Sequence, residues 1–179
     1  MSVFMIKLEN FVFKIFRVFR RSFLGRFLNF KISSFIFLNY FKDFEKVEAV
    51  KKIFGVETLD VLNNLIVDLT WFGGYMYIDD INGHLVVSSR YLNKGNKIDI
   101  YLDLIHELVH VKQFLEGRNL FDSKYSYVDR PTEVEAYAYT VQEARRLGLS
   151  DARIFSYLET EWMSPVDLKR LANYVKVKY

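Results

Sequence analysis

Over residues 3–24 the polar positions Lys7, Asn10, Lys14, Arg17 and Arg21 recur at alternating steps of three and four. Phe4, Leu8, Phe11, Val12, Ile15, Val18 and Phe19 gather on the opposite side, and this spacing predicts a cationic amphipathic helix that stops at Gly25. A second segment follows, with the charge-free run Ile32–Phe41, so residues 1–42 read together as a basic helical extension. From Asp43 to Phe54 the pattern is again helical and ends at Gly55; Thr58 is placed to cap a further helix over Leu59–Leu69.

Trp71-Phe72-Gly73-Gly74 breaks the pattern, and the period changes. Tyr75–Ile78 and Leu85–Ser88 flank Asp80-Ile81-Asn82-Gly83, where Asn-Gly signals a tight turn, so a small antiparallel hairpin is expected. Tyr91–Asn96 reads as a connection to a long helix from about Ile98 to Glu116, stopped by Gly117. Residues 118–130 are loop-like and aromatic. Pro131 then opens a helix whose period runs through Glu133–Leu147 to Gly148. Asp151–Trp162 and Pro165–Val177 are closing helices capped by Ser150 and Ser164, with Leu168, Leu171 and Val175 facing a core. The expected class is α+β and mainly helical, with N-terminal and C-terminal helices around the hairpin.

Composition sharpens this picture in two places. The 179 residues contain no cysteine, which excludes disulfides and thiolate metal sites. Charge is unevenly divided: residues 1–42 hold eight Lys/Arg against the single acid Glu9, and the remainder holds seventeen basic against twenty-one acidic residues. A basic face opposite Phe and Leu suits either packing on the body, an anionic membrane surface, or a pro-segment over the active site. Nucleic acid is disfavoured, since no recognised binding motif accompanies the basic patch. The charge-free run is too short to span a bilayer and no cleavage pattern follows, so a cytoplasmic protein, peripheral at most to a membrane, is expected.

The candidate chemistry lies in the long helix. The chain has three histidines, and His106-Glu107-Leu108-Val109-His110 holds two of them. Residues four apart on a helix lie above one another, so His106 and His110 can direct two imidazoles at one metal ion, with Glu107 beside the first as general base. Zinc in a catalytic site takes three protein ligands and keeps one position open. Without cysteine, a carboxylate is the natural third ligand. Glu133 and Glu135 are the candidates; on one helix they point about 200° apart, so only one can face the metal, and spacing does not choose between them. His84 sits at the hairpin turn and reads as a surface histidine rather than a further ligand.

His106-Glu107-Leu108-Val109-His110, then Gln113, then Arg130-Pro131-Thr132-Glu133-Val134-Glu135-Ala136-Tyr137, resembles the gluzincin type of zinc metallopeptidase. The small scale and the hairpin before the motif helix are similar to minigluzincins, and Arg-x-x-Glu-x-x-Ala is similar to the glutamate helix of membrane-associated CAAX-type peptidases. The resemblance covers roughly residues 75–147. It implies a zincin-like core, a domain over residues 43–179, Zn2+ as cofactor, and His106, His110 and Glu133 as metal ligands. Arg130 falls on the family's arginine. Tyr137 stands where the family has an aspartate that orients a ligand imidazole, leaving Tyr137, Glu135 or Asp103 to take that place.

The implied activity is peptide-bond hydrolysis, endopeptidase rather than exopeptidase, on a peptide or protein substrate. Glu107 is the expected base; Tyr125, Tyr127, Arg130 and His84 are candidate oxyanion donors. Leu85–Ser89 is the expected sheet edge for a substrate strand. The competing expectation is a non-catalytic zinc-binding protein that docks a partner, or a membrane-surface protein acting through residues 1–42. The intact Glu107 favours catalysis, because a structural site has no use for a base.

Overall fold

The structure, a computed structural model, describes residues 31–71 and 74–179; the expected helix over residues 3–24 lies outside them. The described residues form an α+β fold, mainly helical, with one small mixed sheet. No described helix is long and apolar enough to cross a membrane.

The chain enters through β1 (Lys31–Ile36), followed by a single helical turn, α1 (Phe37–Tyr40), and the short helices α2 (Glu48–Phe54) and α3 (Thr58–Asn64). Next come β2 (Ile66–Thr70), β3 (Met76–Ile78), β4 (Leu85–Ser88) and α4 (Ser89–Lys94). Then follow α5 (Lys97–Leu115), α6 (Pro131–Arg146), α7 (Asp151–Leu158) and α8 (Pro165–Tyr174).

The sheet departs from the sequence expectation in three ways. Residues 31–36, expected within a helical extension, form β1 and pair antiparallel with β2; Phe37, next in the chain, is fully buried. Residues 66–70, expected at the end of a helix, are strand. Both runs are short, apolar and rich in β-branched or serine residues, and periodicity cannot tell such a strand from a buried helical turn. Pairing between residues thirty or more apart decides the matter. The third departure concerns the edge. Strand order is β1-β2-β4-β3, with β4 parallel to β2 and antiparallel to β3. Leu85–Ser88 therefore has a partner on both sides and Ser89 starts α4, so the expected substrate edge at Leu85–Ser89 is not free. Among the described residues β3 is the edge on that side.

Smaller differences have local causes. Tyr91–Asn96 is largely the helix α4, begun by Ser88, whose side chain accepts from the Tyr91 amide. Thr58 is not an N-cap: it is the first residue of α3, and its hydroxyl donates to the Gly55 carbonyl. The closing helices stop at Leu158 and Tyr174, while Ser150 and Ser164 cap them as expected. The expected β3–β4 antiparallel hairpin forms, with Ile78 opposite Leu85. Gly83 adopts φ 72°, and a Cβ there would strike the Phe114 ring of α5, so glycine is required on both counts.

Two cores flank α5. Ile105, Leu108 and Val109 pack with Val67, Ile78, Leu85 and Val87 of the sheet. Leu102 packs with Tyr137, Val141, Ile154, Leu158 and Leu171 of the C-terminal helices. Every residue from Leu104 to Val111 is buried as a result. Polar groups in that stretch are retained against a desolvation cost of several kcal/mol for each unpaired charge, so they need partners.

Candidate metal centre

Asn96 caps α5, its side-chain oxygen accepting from the Ile98 and Asp99 amides, and His106 and His110, four apart within α5, share one face. Their Nε2 atoms are 3.0 Å apart. α6 opens with Pro131 at its first position, which places Glu133 in the first turn, facing α5. Glu133 Oε2 lies 3.3 Å from His106 Nε2 and 3.5 Å from His110 Nε2. All three side chains are buried, and among the described residues they form the one His/Cys/Asp/Glu group able to hold a metal.

The donor set fits zinc. Ligands about 2.0–2.1 Å from a tetrahedral ion sit roughly 3.4 Å from each other, close to the three separations here. Without an ion the arrangement is poorly satisfied: Glu133 Oε2 has no hydrogen-bond partner among the described residues. Burial draws the His106 pKa down. For His110, burial acts in the same direction, but the Glu133 carboxylate outweighs it and raises the value to about 9. Glu133 is held well below the usual range by the two histidines, against its own burial. The ligand atoms therefore form an anion facing one imidazolium, a pair that a divalent cation can replace.

Glu135, the alternative ligand, is committed elsewhere. It accepts from Gln113 Nε2 at 2.9 Å and from Arg118 Nη1 at 2.5 Å. Gln113, fully buried, also donates from Nε2 to the Thr132 carbonyl at 3.0 Å, and its Oε1 lies 2.7 Å from His110 Nδ1. Both Nε2 protons are thus used, Oε1 must accept, and His110 carries its proton on Nδ1. Once a metal displaces the second proton of the imidazolium, that arrangement leaves Nε2 as the ligating nitrogen. Gln113 also ties α5 to the turn that carries Glu133. Its position three residues after His110, on the same helical face, is the sequence signal for this role. Gln113→Leu is expected to weaken zinc binding by roughly 10–100-fold, measured by chelator competition; an unchanged affinity would remove Gln113 as a positioning residue.

His106 lacks an equivalent partner: among the described residues its Nδ1 has no hydrogen bond. Tyr137, at the position of the family's aspartate, instead packs its ring against the imidazole at 4.4 Å and shares a 2.9 Å hydrogen bond with the Tyr127 hydroxyl. Asp103 does not substitute, because it accepts from Tyr91 at 2.6 Å and Tyr157 at 2.7 Å. Burial lifts the Asp103 pKa from 3.8 to about 6 despite these bonds. Since the folded state holds this proton to higher pH, its contribution to stability is complete below the unfolded value and is lost as pH rises through about 6. The loss is up to roughly 3 kcal/mol. Asp103→Asn should gain about that much relative to wild type between pH ~4 and ~7 in denaturant titrations with chelator present; a constant difference over that range would contradict the assignment.

Glu107 is buried beside His106, and its charge acts on His110, Tyr127 and Tyr137. Of the four candidate oxyanion donors, two border the centre. Tyr127 reaches it through Tyr137, and Arg130 Nη1 lies 4.0 Å from Glu133 Oε1 with its guanidinium 5.8 Å from the Tyr127 ring centre. His84 is engaged elsewhere: its Nδ1 is 2.9 Å from Asp68, which also accepts from Ser34 and pairs with Lys31. Tyr125 is exposed in the loop before the short turn Tyr127–Asp129.

Compared with protein-family models, curated proteins and solved structures, the chain matches none.

Proposed function

We propose that this chain is a zinc-dependent peptidase of the gluzincin type, built on a zincin-like core and cleaving within peptides. The observation that carries the reading is the convergence of His106, His110 and Glu133 within 3.0–3.5 Å, with Glu107 one residue from the first of them. A zinc ion bound there would acidify a coordinated water and polarise a carbonyl oxygen. Glu107 accepts the proton of the attacking water and returns it to the departing amine nitrogen, so no net charge is left in the buried site. Gln113 keeps His110 in its ligating tautomer. Of the four candidate donors for the developing oxyanion, Arg130 beside Glu133 and Tyr127 behind Tyr137 are the two on the side of the centre. A substrate strand is proposed to add along β3, the edge strand among the described residues, by main-chain hydrogen bonds independent of side-chain identity.

The test is incubation of the zinc-loaded full chain with a mixture of peptides, read by mass spectrometry. Internal cleavages are expected that stop on chelation and return with zinc. A preparation that carries one zinc per chain and cleaves nothing would overturn the peptidase reading.

A further inference from the structure

A run of aromatic rings leads from the metal centre to the surface at the sheet edge. Tyr137 touches His106; Tyr127 lies 6.4 Å from Tyr137, and Trp162 lies 6.3 Å from Tyr127. Tyr75 completes the run, its ring centre 6.2 Å from Trp162 and 4.8 Å from Tyr91. The inner rings are packed and hydrogen-bonded. The outer pair is not covered: Trp162 is 42% exposed and Tyr75 39% exposed. The two arrive from distant parts of the chain. Tyr75 immediately precedes β3, and its carbonyl accepts from the Ser88 amide, which extends the β3–β4 ladder by one step. Trp162 comes from the connection between α7 and α8.

We infer that Tyr75 and Trp162 form a substrate subsite for an aromatic or large apolar side chain of a peptide bound along β3. The inference rests on the peptidase reading and names its substrate class. Three observations support that occupant. The pair is linked to His106 ring to ring through Tyr127 and Tyr137. It flanks β3, the edge strand among the described residues, along which an extended peptide presents alternate side chains to the surface. Two rings at 51° to one another offer apolar faces that a third ring can meet edge-on or offset. Glu161 is the charged group whose field acts on Tyr75 from the same connection, and it makes a basic side chain the competing occupant to be measured.

The experiment uses the full-length Glu107→Gln protein loaded with zinc, so that binding is read without turnover. Blocked alanine-based peptides carrying one central Phe, Leu, Ala or Lys are titrated calorimetrically; such peptides can shift register to seat the central residue. The Phe peptide is expected to bind roughly tenfold or more tighter than the Ala peptide, with Leu between them. Adding Trp162→Ala or, separately, Tyr75→Ala should reduce that preference to about twofold or less while zinc content stays at one per chain. Equal binding of the Phe and Ala peptides would overturn the inference. So would tighter binding of the Lys peptide, or a Phe preference that survives both substitutions. Zinc bound without a Phe preference removes the subsite and leaves the peptidase reading; a Phe preference in protein that binds no zinc does the reverse.

Discussion

Glu107→Gln should keep its zinc and lose hydrolysis, kcat falling by roughly 10²–10⁴-fold. The substitution is close to isosteric, and Glu107 contributes no ligand atom to the group formed by His106, His110 and Glu133. What it removes is the capacity to take a proton. Because Glu107 is buried next to His106, the amide also removes a negative charge that supports a raised pKa at His110. Metal affinity is therefore expected to change little while turnover collapses. Substrate binding to the metal-loaded variant should persist, so kcat falls with little change in KM. Activity retained in metal-loaded Glu107→Gln would remove Glu107 as the base.

The second large effect separates the two glutamates of α6. Glu133→Ala takes away one of the three proposed ligands and leaves two buried histidines without their carboxylate. Apparent zinc binding energies near 10–16 kcal/mol, shared among the ligands of a site, make the expected loss roughly a thousandfold or more in affinity. Glu135→Ala acts one step further out. It frees a Gln113 proton and Arg118, and loosens the orientation of His110. The expected cost is about 10–100-fold. Chelator competition on both variants reads this directly, and a larger loss from Glu135→Ala would reverse the ligand assignment.

How much of this was legible beforehand follows from where each signal resides. The motif helix, its stop at Gly117, the opening of α6 at Pro131 and the Asn82-Gly83 turn are written in short stretches that determine their own geometry. β1 and β2 are not, because each is a strand only by virtue of the other. The edge was misplaced for the same reason: β4 is recognisable as a strand locally, but its position between β2 and β3 is a property of the whole sheet. At the site, spacing left Glu133 and Glu135 open. The choice appears once Gln113 and Arg118 are seen to hold Glu135, contacts that span seventeen or more residues. Tyr137 was visible as a departure from the family pattern. That its ring meets the His106 ring edge-to-face, leaving Nδ1 without a partner among the described residues, required the packing of α5 against α6. The aromatic pair Tyr75 and Trp162, 87 residues apart in sequence, carries no local signal.

The central claim is that His106, His110 and Glu133 hold a zinc ion. The most direct measurement is metal content by mass spectrometry of the purified full chain after zinc loading and desalting, beside His106→Ala treated identically. The account predicts one zinc per wild-type chain and close to none in the variant. Wild-type protein without stoichiometric zinc, or a variant that retains it, would contradict the account.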